Sequence, residues 1–143
     1  MDKLLLANQV CFPLYALSRQ VTALYRPLLE KLDLTYPQYL VLLLLWETDR
    51  VSVSDIGDRL LLDSGTLTPL LKRMEQKGLI SRTRNPADER QVTIQLTDSG
   101  RALQEQALNV PTDLQASLNL GNEPLIALRV QLQTLLDQIS VIK

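Results

Sequence analysis

The sequence has 143 residues, is 45% hydrophobic and 22% charged, and carries a formal net charge of −1. This length and composition are typical of a single globular domain with its own hydrophobic core. One cysteine and no histidine exclude an intrachain disulfide, a Ser-His-Asp triad, a Cys-His pair and a histidine-based metal site. We therefore expect no metal, no cofactor and no enzymatic activity, and a reducing cytoplasm is the simplest location.

A long N-terminal helix is predicted within residues 7–32, where apolar side chains recur every three, four or seven positions. Pro13 fits the first turn of this helix if the helix begins near Cys11, and otherwise it must kink the helix. A second helix is predicted from about Tyr36. Its apolar run, residues 40–46, indicates a buried helix and is far too short to cross a membrane.

Two shorter helices follow. The first is predicted within residues 51–62, and the second is capped by Asp63 or Ser64 and ends at Gly78. Inside the second helix, Pro69 removes one backbone hydrogen bond unless it lies in the first turn, and the sequence leaves this question open.

The hydrophobic period then changes from 3.6 to 2 residues. Residues 79–84 and 91–97 are predicted as two strands, and the polar residues 85–90 between them as the turn of a hairpin. Residues 59–91, which include this turn, carry seven basic and four acidic side chains, whereas both flanking segments are net negative. A local positive surplus favours docking of a polyanion.

Helices resume after the hairpin. One is predicted from about Asp98, with a break near Pro111, and residues 123–142 carry a near-heptad apolar stripe that needs a packing partner. The chain is therefore expected to be mainly α-helical with a small β-hairpin wing. The order helix, turn, helix, hairpin predicts a winged helix-turn-helix.

The winged helix-turn-helix order points to DNA, because a helix of about 10–12 Å diameter fits a major groove about 12 Å wide. The second helix of the pair would present hydroxyl and basic side chains to bases and phosphates, and the hairpin tip would reach a minor groove. In the hairpin, Asp88 is placed to orient Arg90 by an ion pair. The predicted DNA-binding residues are Ser64, Thr66, Thr68, Lys72, Arg73, Asp88 and Arg90.

Cys11 admits two interpretations. A free cysteine most often packs in a core, and local physics alone favours packing. A reactive cysteine needs a stabilised thiolate, which a helix N-terminus and tyrosine hydroxyls can supply without a histidine. Tyr15, one helical turn after Cys11, can share a face with it. Tyr25 and Tyr36 are too distant in sequence for spacing to decide.

Several segments resemble a known family. Residues 63–100 resemble the DNA-binding core of the MarR family of bacterial repressors, through Asp88-Glu89-Arg90 in the wing and Thr97-Asp98-Ser99-Gly100 at the entry to a helix. The stretches "NQVCFPLYALSR", "LTYPQYLVLLLLWE" and "LDSGTLTPLLKRME" resemble the organic-hydroperoxide-sensing branch of that family, the OhrR type.

The resemblance implies a homodimer that binds a pseudo-palindromic operator. Residues 1–143 are expected to form one MarR-type domain. Within it, residues 36–97 would be the DNA-binding lobe, and residues 1–35 and 98–143 would supply interlocked dimerisation helices.

The resemblance also implies that Cys11 senses organic hydroperoxide, and that its oxidation releases the operator. Tyr25 and Tyr36 of the partner subunit, with Tyr15, would hydrogen-bond to the thiolate, and Phe12 would line an apolar peroxide pocket. Without a second cysteine, the chain resembles the one-cysteine type, whose oxidised sulfur reacts with a small cellular thiol or overoxidises. The alternative is a MarR-type repressor released by a small phenolic ligand, with Cys11 only structural.

Overall fold

The structure is a computed structural model that describes residues 2–139. Two 3₁₀ turns, Asp2–Leu4 and Leu6–Asn8, come before the first α-helix. The other elements, in chain order, are α1 (Cys11–Glu30), α2 (Tyr36–Glu47), β1 (Val51–Ser52), α3 (Val53–Leu60), α4 (Ser64–Gln76), β2 (Ile80–Asn85), β3 (Asp88–Leu96), α5 (Asp98–Gln106), α6 (Val110–Leu118) and α7 (Asn122–Ile139). The predicted class, mainly helical with a small β wing, is confirmed. Residues 140–142 of the predicted C-terminal stripe lie outside the described range.

The first two helices begin at local signals, a first-turn proline in α1 and a capping box in α2. α1 begins at Cys11, so Pro13 lies in its first turn and the first of the two predicted possibilities holds. Thr35 caps α2 through a reciprocal pair of hydrogen bonds. The Thr35 hydroxyl accepts from the backbone N–H of Gln38 at 3.4 Å, and the Gln38 side chain accepts from the Thr35 N–H at 3.1 Å.

The core surrounds α2, which packs against α1, α3, α4 and α5. The predicted burial of this helix is confirmed, because five of its apolar side chains are buried: Tyr39, Val41, Leu42, Leu44 and Leu45. Near its C-terminal end, the Trp46 indole N–H donates to the Gly100 carbonyl of α5 at 2.9 Å. α2 is therefore the central packing element of the protomer.

The wing is a three-stranded antiparallel sheet in the order β1-β3-β2. The predicted turn over residues 85–90 is too long, because β3 already begins at Asp88. The Asn85 side chain accepts a hydrogen bond from the Ala87 N–H at 2.9 Å and closes the turn within two residues. Asp88 and Arg90 consequently lie on a strand. The two-residue β1 was not predicted.

The C-terminal helices follow the predicted break. α5 ends at Gln106, and Pro111 occupies the second position of α6, where a missing N–H costs no helical hydrogen bond. α7 buries none of its described side chains and exposes several apolar ones: Ile126, Val130, Leu135, Leu136 and Ile139. Among residues 2–139, no helix combines the length and the apolarity that crossing a membrane requires.

Asp49 connects three parts of the fold. Its carboxylate accepts hydrogen bonds from the N–H groups of Arg50 (2.8 Å) and Leu96 (2.9 Å) and from the Arg101 guanidinium (2.9 Å). Partial burial raises the pKa of Asp49, but these hydrogen bonds outweigh it and hold the pKa below its ordinary value of 3.8. The carboxylate thereby ties the end of α2 to the base of the wing and to α5.

We predict that Asp49→Asn lowers the unfolding free energy by about 1–3 kcal/mol at neutral pH, because it removes charge-assisted hydrogen bonds. Since the folded pKa is depressed, this stability is present above the pKa of the unfolded chain and is lost as pH falls through the folded value. Urea unfolding between about pH 3 and 7 measures the difference from wild type. Asp58→Asn, which changes an exposed carboxylate, is the control. A difference that does not shrink in acid would contradict the assignment.

Candidate DNA interface and thiol site

α4 is the second helix of the helix-turn-helix and has two distinct faces. Its buried face consists of Leu67, Leu70, Leu71 and Met74. The predicted DNA-binding residues of this helix are all exposed: Ser64, Thr66, Thr68, Lys72 and Arg73. Because every third or fourth residue of α4 is buried in the core, the remaining hydroxyl and basic side chains are exposed and can contact a polyanion.

The two ends of α4 are fixed by local interactions. Asp63 is the N-cap, and its carboxylate accepts from the Thr66 N–H at 2.8 Å. After Lys77, Gly78 adopts φ +74°, which terminates the helix and directs the chain into β2. Pro69 is the sixth residue of the helix, beyond the first turn, so the carbonyl of Gly65 lacks its normal N–H donor. The helix nevertheless continues through Pro69.

The wing presents the predicted basic residue. Arg90 is exposed, with 92% of its side chain accessible, and its Nε atom lies 3.2 Å from the Asp88 carboxylate. The Asp88 carboxylate also accepts from the backbone N–H of Arg90 at 3.1 Å. The expected ion pair is therefore present, and it orients the arginine without burying it.

Sequence reasoning missed two further arginines, Arg82 and Arg84 on β2. With Arg90 they line a cleft of about 550 Å³ that lies between the wing and the helices α3 and α4. Arg82 pairs with Glu75 of α4 at 3.0 Å, and this hydrogen bond holds the pKa of Glu75 below its usual range. Arg84 opposes Val92 in the ladder. Strand alternation in "SRTR" was the signal, because residues two apart share one face.

The cysteine lies at the first position of α1 and is exposed. It therefore does not fill the core of the protomer. Phe12, the proposed pocket residue, is 47% exposed beside it, and Leu14 is also exposed. Tyr15 is exposed as well, and the Arg19 guanidinium lies 5.5 Å from the centre of its ring. This end of α1 thus presents a thiol on an open apolar surface.

The other two tyrosines of the predicted site lie together at the opposite end of α1. The rings of Tyr25 and Tyr36 are 4.6 Å apart, and the Tyr39 ring is 5.8 Å from that of Tyr25. Burial, with the neighbouring Tyr36 and Tyr39, raises the pKa of Tyr25 to about 12, and burial raises the pKa of Tyr36. Both hydroxyls are therefore protonated donors at neutral pH.

Within one protomer these tyrosines do not reach the thiol. Tyr25 lies fourteen positions after Cys11 in the same helix, which corresponds to about 21 Å along the axis. In residues 2–139 no protein group accepts a hydrogen bond from the hydroxyl of Tyr25 or Tyr36. The structure thus brings Tyr25 and Tyr36 together and keeps Cys11 apart from both.

These features define a class of protein. A helix-turn-helix with an exposed polar second helix and a basic β wing is a winged-helix DNA-binding unit. Residues 23–107, more than half of the chain, match the family described as transcriptional regulator SarA/Rot.

Individual relatives agree with this class. The chain is 52% identical to the organic hydroperoxide resistance transcriptional regulator of Bacillus subtilis, over 95% of this chain and 92% of that protein. Reduced AbfR bound to DNA superposes with a TM-score of 0.78 at 40% identity, covering 94% of this chain and 93% of that one. A mutant MarR from E. coli complexed with operator DNA gives 0.82 at 27% identity, covering 95% and 98%. The chain belongs to the MarR/SarA family of transcriptional regulators, in its organic-hydroperoxide-resistance branch.

We predict that Pro69→Ala raises the unfolding free energy by about 1–3 kcal/mol, because alanine restores a hydrogen bond to the Gly65 carbonyl and removes the ring clash. Urea unfolding followed by Trp46 fluorescence is the measurement. Pro111→Ala is the matched control and is expected to change stability by less than about 0.5 kcal/mol. Equal effects of the two substitutions would show that α4 has already adapted to its proline.

Proposed function

We propose that the protein is a redox-sensing transcriptional repressor. It binds a pseudo-palindromic operator while Cys11 is reduced and releases that operator when an organic hydroperoxide oxidises the thiol. The observation that carries this proposal is the exposed Cys11 at the start of α1, in a chain 52% identical to an organic hydroperoxide resistance regulator. The protein acts in the cytoplasm, where its DNA is, and does not turn over substrate.

The functional unit is a homodimer. Its dimerisation segments are residues 1–35 and 98–143, and the DNA-binding lobe is residues 36–97. One observation supports this division. The exposed large apolar side chains concentrate in the terminal segments, with Val10, Leu17, Leu108 and Ile139 among them. Large apolar side chains exposed in such numbers are typical of a protein interface.

A partner subunit also explains the separation within the thiol site. Since one protomer holds Cys11 about 21 Å from its own Tyr25, hydrogen bonds to the thiolate come from Tyr25 and Tyr36 of the partner subunit. Tyr15 lies one turn from Cys11 on its own helix. Protonated tyrosine hydroxyls and the N-terminus of α1 both favour a negatively charged sulfur.

The chemistry is a two-electron oxidation. The Cys11 thiolate attacks one oxygen of the peroxide, the O–O bond breaks, and an alkoxide leaves and takes up a proton; the sulfur becomes a sulfenic acid. Phe12 and the adjacent apolar surface favour an alkyl or lipid hydroperoxide. The sulfenic acid then condenses with a small cellular thiol to a mixed disulfide and releases water, or it overoxidises.

DNA binding uses the exposed face of α4 and the wing. Thr66, Thr68, Lys72 and Arg73 enter a major groove, and Ser64 lies with the helix N-terminus near a phosphate. Arg90, oriented by Asp88, reaches the adjacent minor groove. Support comes from the exposure of the α4 side chains and of Arg90, and from DNA-bound structures of AbfR and MarR.

We predict that Cys11→Ser abolishes the peroxide response, because a hydroxyl is not oxidised by peroxide. The probe is a duplex selected from random-sequence DNA by the reduced wild-type protein. Cumene hydroperoxide is expected to lower the affinity of wild type by about 5- to 150-fold, the usual range of coupling between sites, and to leave Cys11→Ser unchanged.

Mass spectrometry of Cys11 in the same samples identifies which product accompanies release. This step is needed because AbfR has been solved on DNA in an overoxidized form as well as a reduced one. Release of DNA by the serine variant would refute the thiol sensor. Release of both proteins by a phenolic compound alone would instead support a ligand-responsive repressor.

We predict that Arg84→Ala and Arg90→Ala each weaken binding to this duplex, because each removes a cation from the basic cleft. If each arginine contacts one phosphate, the slope of log affinity against log salt falls by about 1. Fluorescence anisotropy at several salt concentrations gives both quantities. Lys31→Met, which removes an exposed charge at the far end of α1, is the control. An unchanged slope in both arginine variants would place DNA elsewhere.

A further inference from the structure

Lys77 joins the C-terminal end of α4 to the turn between α1 and α2. α4, the second helix of the helix-turn-helix, is called the recognition helix from here on. Its ammonium group donates to the backbone carbonyl of Asp33 and, at 3.2 Å, to the side-chain oxygen of Gln38. It also lies 3.7 Å from the Asp33 carboxylate, but that carboxylate is 94% exposed and contributes little. The carbonyl and amide oxygens therefore carry the connection.

The Gln38 end of this connection is buried. Gln38 is 3% exposed, and it is the one buried polar side chain among residues 2–139. Its side-chain oxygen accepts from Lys77 and also from the Thr35 N–H that opens α2. Lys77 is thus bonded directly to the capping box of α2. A movement of that cap therefore changes the positions of the Thr35 N–H and of the Lys77 ammonium group, which both donate to the Gln38 oxygen.

The Asp33 end of the connection lies in a demanding backbone conformation. Asp33 has φ +54°, in the left-handed region. The Leu34 N–H bonds to the Leu29 carbonyl and the Asp33 N–H to the Glu30 carbonyl, both at 3.0 Å, which is a Schellman termination of α1. The direction of the Asp33 carbonyl therefore depends on how α1 ends, and Lys77 is bonded to that carbonyl.

The proposed thiol partners straddle the same turn. Tyr25 lies in the last two turns of α1, and Tyr36 is the first residue of α2, directly after Thr35. Their rings are in contact, 4.6 Å apart between centres. A displacement of Tyr36 is therefore transmitted through one peptide unit to the capping box to which Lys77 is bonded.

We propose that Lys77 is the positioning residue that couples the thiol site to the recognition helix. When Tyr25 and Tyr36 of one protomer lose their hydrogen bonds to the sulfur of the partner, the α1–α2 turn shifts and Lys77 carries this shift to α4. This inference rests on the proposed function for the role of the tyrosines. Lys77 is not among the residues proposed to contact the thiol or the DNA.

The test replaces peroxide by iodoacetamide, so that it does not depend on sulfenic acid chemistry. The Cys11 thiolate displaces iodide and becomes carbamidomethylated, which blocks hydrogen bonding to a thiolate. The quantity measured is the ratio of the dissociation constants for the selected duplex after and before modification. Wild type is expected to give a ratio of about 5 or more, and Lys77→Met a ratio close to one, with an unmodified affinity similar to wild type.

Two controls separate coupling from charge and from folding. Lys77→Arg, which retains the donors, and Lys31→Met, which removes a neighbouring charge, are both expected to keep the wild-type ratio. Far-ultraviolet circular dichroism checks each fold, and Lys77→Ala, which also lacks donors, replaces Lys77→Met if that variant does not fold.

The coupling would be overturned if Lys77→Met gave the same ratio as the wild type. It would also be overturned if the wild type itself gave a ratio of one. If peroxide fails to release wild-type protein while the iodoacetamide ratio still depends on Lys77, the redox function is wrong and the coupling stands.

Discussion

Burial of α2 is the constraint on which the rest of the structure depends. Val41 and Leu42 in its middle are fully buried, and α1, α3, α4 and α5 all pack around it. A helix that is apolar on most of its surface can remove its side chains from water only if other helices cover it. The recognition helix, the tyrosine cluster and the base of the wing are consequently positioned relative to one another through α2, and its two ends are fixed by the Thr35 capping box and the Trp46–Gly100 hydrogen bond.

Most helix boundaries were predictable because their signals are local. A capping residue, a first-turn proline or a terminal glycine acts within four residues, so Tyr36 and Gly78 mark element ends in both sequence and structure, and a start at Cys11 was one of the two possibilities that the sequence left open. The wing was predicted less well for the opposite reason. β1 has two residues and exists only because Val51 pairs with Ile94, forty-three positions away. The turn was predicted too long because the side chain of Asn85 tightens it, which composition does not reveal.

In the candidate site, too, the residues that depend on local spacing were predictable, and those that depend on long-range contacts were not. Helical spacing was enough to identify the exposed face of α4, since the buried leucines leave only one face free. Arg82 and Arg84 were missed because strand alternation shows only that they share one face of β2, and the side to which that face turns is known only from the register with β3. The bonds from Lys77 to Asp33 and Gln38 span 44 and 39 residues and depend on the packing of α4 against α2. No local pattern encodes such a contact.

Because the sequence has no histidine, the effect of Cys11 oxidation on the free energy of DNA binding depends on the hydrogen bonds that the tyrosines donate to the sulfur. In the proposed dimer the thiolate relies on tyrosine hydroxyls, and the raised pKa of Tyr25, about 12, keeps its proton in place as a donor. A hydrogen bond to a charged group contributes about 1.5–3 kcal/mol and one between neutral groups about 0.5–1.5 kcal/mol. When the sulfur loses its charge as a sulfenic acid, two such bonds weaken by about 1 kcal/mol or more each. That loss is comparable with the usual 1–3 kcal/mol of coupling between distant sites, so in the proposed dimer it is large enough to supply the coupling that Lys77 would carry to α4.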